Sequence, residues 1–451
     1  MANDFGREKV SRLIVAQAVP LALAQLVQLL YNVVDRIYIG HLSEQGSLAL
    51  TGVGLAFPLV TLIAAFTNLF GGGGAALFAI ARGAGDEKRA KKILGNSTAL
   101  LVFCSVILLT FCFVFRRPVL FLFGASEASY VYANAYLQIY LMGTTFSMLQ
   151  AGLNGFINAQ GFPRIGMLTT VIGAVLNLIL DPIFIFGLHL GVRGAALATV
   201  ISQAIAAIWV LRFLTGRKAL QKIERSCLQI DGKLFREITA IGAAGFIMQA
   251  TNCMVQIVCN KMLQIWGGDI YVGVMTVLNS IREVLSLAVH GIASGSQPVL
   301  GYNYGAGKYD RVKEGIRFSS FLGMAYTALA WGVVLLIPKL LIGVFTSDPA
   351  LLQIGPPALK LYFFGFVFMS LQFAGQSVFQ GLGFAKRAIC FSLLRKAVIV
   401  VPLTLMLPGM GFGVDGVFMA EPISNLIGGS ACFITMYLTV YRKLGKKETI
   451  S

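Results

Sequence analysis

Four polar residues stand where long apolar runs would least accommodate them. Asp35 lies in the run 13–39, Asn177 and Asp181 in the run 165–188, and Thr199 in the run 192–214. Asn177 and Asp181 are four residues apart, so they share one face of a helix. An ionisable side chain at the centre of a bilayer costs at least ~2.5 kcal/mol, so each needs a compensating role. Counting along each run at ~1.5 Å per residue puts Asp35, Asp181 and Thr199 at about the same depth, roughly 10 Å beneath the outer boundary. Two carboxylates shielded from water could take up protons near neutral pH. With an amide and a hydroxyl they would equally form an all-oxygen set for a small cation such as Na⁺. The residue types alone leave both chemistries open.

Polar stripes accompany this set. Gln25, Gln28, Asn32 and Asp35 recur in steps of three and four, as do Gln150, Asn154 and Asn158. The same spacing joins Gln249, Asn252, Gln256 and Asn260, and then Gln372, Gln376 and Gln380. Each stripe occupies one helix face. Such amides either bond helix to helix or line a hydrated, uncharged cavity. Four stripes together point to the cavity, with Gln28, Asn32, Gln150, Asn154, Gln249, Asn252, Gln256 and Gln376 as lining. Tyr31, Tyr136, Tyr140, Met148, Met248 and Phe246 could add aromatic and soft apolar surface.

The elements that must position these residues are membrane-spanning helices. Hydrophobic residues make up 57% of the 451-residue chain and charged residues 12%, against roughly 25% charged in soluble domains. Apolar runs of about 20 residues match the ~30 Å hydrocarbon core, and the alternation of a β-barrel is absent. The pattern predicts twelve helices at 13–39, 51–80, 94–115, 131–158, 165–188, 192–214, 237–265, 271–299, 316–342, 356–381, 388–407 and 415–440.

The net charge of +17 is spread through short inter-helix loops rather than gathered in a patch, which argues against nucleic acid as a partner. Of the 36 Lys and Arg, 28 fall in alternate loops and the termini, Arg395 and Lys396 counted among them. This asymmetry predicts a multi-pass cell-membrane protein with both termini cytoplasmic. Ala22 and Ala24 make a loose cleavage motif, but cleavage there would halve the first helix. The seven cysteines and three histidines show no metal-ligand spacing, and no nucleophile–base constellation suggests an enzyme. Gly71–Gly74 lacks the Lys-Ser/Thr of a phosphate loop and reads as close helix packing. Gly83-Ala84-Gly85 reads as a turn, with Asp86 as the N-cap of the next helix.

The chain also repeats itself at an offset of 222. Gly83-Ala84-Gly85 matches Gly305-Ala306-Gly307, Tyr140 and Gln150 match Tyr362 and Gln372, and Gly191-Val192 matches Gly413-Val414. Two halves of six helices follow, 1–214 and 237–451, joined by a basic linker 215–236. An even number of helices per half relates the halves by an axis along the membrane normal. The polar cluster is not repeated: Asp35, Asn177, Asp181 and Thr199 map to Ile257, Ile399, Leu403 and Glu421.

Read in order, Pro20, Tyr31-Asn-Val-Val-Asp-Arg-Ile-Tyr-Ile-Gly40, the glycine-rich second helix, Asn158-Ala-Gln-Gly161, Asn177 with Asp181-Pro182, and Gly191-Val-x-Gly-Ala195 resemble the multidrug and toxic compound extrusion (MATE) family. The style is closest to its MepA-like and DinF-like branches. The resemblance spans nearly the whole chain. It implies an all-α MATE/flippase-like fold of two six-helix bundles. It also implies an antiporter for amphipathic or cationic small molecules, with H⁺ or Na⁺ as coupling ion and no other cofactor, functional as a monomer in the bilayer. By resemblance, Asp35, Asn177, Asp181 and Thr199 form the coupling site, and Gln28, Tyr31, Tyr136 and Asn154 border the substrate cavity. The chain carries Gln and Asn where NorM-like members carry acidic residues in the seventh and tenth helices. A flippase for lipid-linked precursors is the rival within the same fold group.

Overall fold

The computed structural model describes residues 4–40, 46–123, 127–345 and 349–445. They are nearly all helical. Helix α1 spans Val10–Gly40. Helix α2 begins at Gly46–Thr67 and passes through a π-turn, Asn68–Gly72, into Gly73–Gly83. Next come α3 (Glu87–Leu122), α4 (Glu127–Met142, then Thr144–Ala159), α5 (Pro163–Pro182, then a π-turn Ile183–Gly187) and α6 (Val192–Thr215). In the second half α7 is Gly232–Gly267, α8 Asp269–Gly305 and α9 Tyr309–Leu336. Helix α10 is Pro349–Tyr362 with Phe366–Gly381, α11 runs from Ala385 to Met406 around a π-turn at Leu394–Val400, and α12 runs from Gly413 to Tyr441.

Among the described residues ten helices are long and apolar enough to cross a membrane, eleven if the bent pair forming α10 is one span. The remaining predicted span, 131–158, is α4, whose two pieces meet at Gly143 and are too short to qualify separately. The break recurs at the repeat-related Gly365, where α10 bends by 49°. The outer faces fit lipid. On α3, Phe103, Val106, Ile107, Phe111 and Val114 are exposed while Cys104, Ser105, Leu108 and Cys112 are buried. A continuous apolar face directed outward suits hydrocarbon rather than water.

The repeat is written into the backbone as well. Left-handed glycines recur at the offset of 222: Gly85 with Gly307 (φ 76° and 69°), Gly161 with Gly383 (89° and 83°), and Gly191 with Gly413 (55° and 52°). Asp86 caps α3 as the sequence suggested, its side chain accepting from the Arg89 amide at 2.9 Å.

Contacts group Leu23–Phe246 into one compact unit, and Phe5–Ala22 with Ile247–Ser451 into the other. The first part of α1 therefore belongs with the second unit, and the linker and the first part of α7 belong with the first. In the first unit, Gln160 and Gln221 exchange two hydrogen bonds, and Asn96 accepts from the Asp231 amide at 2.7 Å. The glycine-rich turn of α2 seats α7 closely. A Cβ on Gly73 would fall 2.4 Å from the Ile238 carbonyl, and one on Gly242 would fall 1.8 Å from that of Leu69. In the second unit, Phe5 accepts through its carbonyl from Asn303 and Arg311, and α1 lies against Gly291 and Gly295 of α8 at Ala18 and Ala22. The two exchanges fall at nearly equivalent points, since Ala22 aligns with Ala244.

Candidate functional site

In the first unit three helices bring the predicted polar set together. The asparagine and aspartate stacked on α5 face Thr199 of α6. Asn177 Nδ2 donates to Asp181 Oδ1 at 3.2 Å and to Thr199 Oγ1 at 3.3 Å. The threonine hydroxyl donates in turn to the Ala195 carbonyl at 3.0 Å, so its proton is already committed and an oxygen lone pair faces the cluster. Asp181 is only 1% exposed, and Asn177 and Thr199 are buried with it. Asp35, half-buried on α1, lies within hydrogen-bonding reach of Asp181. The α5 helix gives way to its π-turn immediately after Asp181-Pro182, a local irregularity frequent at functional sites.

The pocket is rich in oxygen. Two carboxylates, the Asn177 carbonyl oxygen and the Thr199 oxygen converge, with the Asn177 amide between Asp181 and Thr199. Asn177 Oδ1 is buried, with no hydrogen-bond partner among the described residues. Two adjoining carboxylates out of water need a proton or a cation between them. The oxygen-only donor set suits Na⁺, and among the described residues no group of three or more His, Cys, Asp or Glu offers a conventional metal site.

Tyrosines wall this pocket. Tyr31 precedes Asp35 by one turn, is hydrogen-bonded to Gln28, and neighbours Tyr140 and both aspartates. Tyr136 also neighbours both aspartates and stacks on Tyr140, with ring centroids 5.8 Å apart. Gln28, Tyr31 and Tyr136 of the predicted cavity lining thus gather around the acidic pair. The side chain of Asn32 lies outside the described residues. Gln150 is half-buried.

Two other predicted lining residues are occupied elsewhere. Asn154 Nδ2 donates to the Gly166 carbonyl at 3.1 Å, and Gln376 Nε2 donates to the Ala388 carbonyl at 2.9 Å. Both donor and acceptor positions are related by 222, so this is one inter-helix bond built twice. In the second unit Gln249 is half-buried, and Asn252 and Gln256 are exposed on α7.

The second unit holds a cluster that sequence reading dispersed. Arg395 and Lys396, counted among cytoplasmic charges, lie some ten residues inside α11, about 15 Å from its start. They are not loop residues: Lys396 is 4% exposed. Lys396 Nζ donates to both oxygens of Glu421, at 2.9 and 3.1 Å. Arg395 reaches Glu421 Oε1 at 3.2 Å and Asn425 at 2.5 Å, and Arg282 of α8 reaches Oε1 at 3.3 Å. A basic pair near a helix start resembles a loop charge until its partner is known. The available signal was Glu421 itself, which occupies the repeat position of Thr199.

Comparison with known proteins agrees with this architecture. Residues 20–183 and 245–406 each match the family model MatE, so the matched domain occurs twice, in keeping with the internal repeat. The multidrug export protein MepA of Staphylococcus saprophyticus is 24% identical over 434 residues, covering 96% of this chain and 95% of that protein. MepA of Staphylococcus haemolyticus is 25% identical, covering 96% and 94%. A solved outward-facing conformation of a multidrug resistance MATE family transporter of the MOP superfamily superposes with a TM-score of 0.92 at 22% identity, covering 98% of each chain. A MOP superfamily transporter from Pyrococcus furiosus, for which reverse polarity of the binding pocket suggests a different function, gives 0.92 at 22% identity, again covering 98% of each chain. A paired family match over most of its length, on an all-helical repeat fold of membrane spans, makes this chain a member of the MATE family of membrane transporters.

Proposed function

We propose that the protein is a secondary antiporter of the cell membrane that exports amphipathic, cationic organic compounds in exchange for H⁺ or Na⁺. The observation that carries this reading is the approach of half-buried Asp35 to buried Asp181, completed by Asn177 and Thr199. A proton or Na⁺ entering there cancels one carboxylate charge, lets the two acids share it and draws α1 toward α5. Its loss frees carboxylate charge beside Tyr31 and Tyr136, where an organic cation gains from aromatic faces and negative charge. Ion and substrate therefore weaken each other's binding, and the effect is reciprocal. A tenfold ion gradient supplies about 1.4 kcal/mol per ion exchanged, enough for tenfold accumulation of a monovalent cation in an electroneutral one-for-one exchange.

The names of the MepA relatives support export of several drugs. The loop charges that remain after Arg395 and Lys396 are removed support a cytoplasmic side for both termini. In this reading the two repeat halves, 1–214 and 237–451, are the moving lobes, the working form is a monomer, and the ion is the only accessory species. The test is purified protein in liposomes given H⁺ and Na⁺ gradients separately. Uphill movement of a fluorescent lipophilic cation should follow at least one of them. Movement indifferent to both gradients would remove the antiport reading.

A further inference from the structure

The basic cluster of the second unit has no part in the coupling scheme, yet it is built as a site. Arg282, Arg395 and Lys396 converge on one carboxylate, Glu421. Cations in a membrane-embedded bundle are costly and persist where they serve a function. One carboxylate does not match three cations. Glu283, beside Arg282 in sequence, is exposed, and among the described residues it forms no ion pair with it. The contacts are also crowded onto one atom: Oε1 of Glu421 receives all three cations, and Oε2 receives only Lys396. Arg282 and Arg395 each reach Glu421 through one guanidinium nitrogen, although guanidinium recognises oxyanions best through two. The Arg282 side chain is 33% exposed and lies over the Tyr362 ring at 5.7 Å. Tyr362 is itself fixed by donating to Asn279 at 3.1 Å. Buried cations thus lie behind a partly open arginine with an aromatic floor.

We propose that this cluster is a binding site for the phosphate-type oxyanion of an amphiphile, with Glu421 as the internal counterion with which that anion competes. The oxyanion would engage the open edge of Arg282 and then Arg395 and Lys396, its alkyl portion lying against Tyr362. The inference deepens the transport reading by extending its substrates to anionic and zwitterionic amphiphiles. The same oxyanion chemistry occurs in a lipid headgroup and in a freely diffusing alkyl phosphate.

The test uses full-length protein in a maltoside detergent, which carries no phosphate, titrated with hexyl phosphate and, separately, with hexyltrimethylammonium. Wild type should bind hexyl phosphate saturably and compete poorly for it with the ammonium compound. Arg282→Gln should weaken binding about tenfold, since one charge-assisted contact is lost. Glu421→Gln removes the competitor and should tighten it severalfold, a gain that a merely structural carboxylate would not produce. Should Glu421→Gln not fold, Arg282→Gln decides alone. Nanodiscs of phosphatidylglycerol separate the sources: if that lipid suppresses hexyl phosphate binding in wild type but remains bound less to Arg282→Gln, the site takes a headgroup. If it does not suppress binding, the site takes the soluble amphiphile. Absence of saturable binding to wild type, or equal affinity in wild type and Arg282→Gln, overturns the proposal. No ion gradient enters the measurement, so its failure leaves the antiport reading standing, and the reverse holds too.

Discussion

The same pair of helices in each half carries opposite chemistry. In the first unit α5 and α6 present Asn177, Asp181 and Thr199, and the cluster is acidic. In the second, the corresponding α11 and α12 present Arg395, Lys396 and Glu421, and the excess is of cations. Thr199 and Glu421 are repeat-related, as are Gln203 and Asn425. Between them runs a shared framework: the Asn154–Gly166 bond reappears as Gln376–Ala388, and the left-handed glycines coincide. Duplication kept the bonds that hold helices together and let the charged interior diverge. Position in the repeat therefore separates architecture from function better than burial does, since the bonding framework and the charged clusters both include buried groups such as Gln376, Asp181 and Lys396.

Substitutions at matched positions can break or sharpen that contrast. The largest effect should come from Asp181→Asn and Asp35→Asn. Both should fold and insert while gradient-driven efflux from liposomes vanishes. Wild-type efflux by either variant would end the coupling role. Next, Glu421→Ala leaves buried cations uncompensated and should lower stability by about 3–5 kcal/mol, whereas Glu421→Met combined with Lys396→Met and Arg395→Met should recover much of it. Thermal unfolding in detergent reads both, and a single substitution no worse than the combined variant would contradict the ion-pair account. Thr199→Val removes one oxygen from the acidic pocket and should weaken ion binding by about 1–3 kcal/mol with little change in folding, as seen in the ion concentration needed for half-maximal efflux. The smallest effects should be those of Asn154→Ala and Gln376→Ala. Each loses one neutral inter-helix bond, about 1 kcal/mol, and the two thermal shifts should be nearly equal. A severe transport loss for one alone would show that it does more than join helices.

Much of this was legible before any coordinates. A carboxylate inside an apolar run is a strong local signal, and the i, i+4 spacing of Asn177 and Asp181 fixed their common face. The glycine-rich turn read correctly as packing, because nothing nearby supplied phosphate-loop chemistry. Other features depend on tertiary partners. Arg395 and Lys396 follow closely on Lys386 and Arg387, and only the Glu421 carboxylate on another helix shows them to be interior. Gly143 and Gly365 are repeat-related, yet Gly143 keeps a right-handed conformation (φ −84°) and Gly365 turns left-handed (φ 72°). No neighbouring residue announces that difference. The assignment of Phe5–Ala22 to the second unit was equally silent, because α1 is continuous in composition across Ala22 and Leu23.

The claim that the acidic pocket couples ion to substrate is tested most directly by linkage in the purified protein. The affinity of wild type in nanodiscs for a fluorescent lipophilic cation should fall as H⁺ or Na⁺ activity rises, and in Asp181→Asn it should become insensitive to both. An Asp181→Asn protein whose substrate affinity keeps the wild-type dependence on the ion would contradict the account.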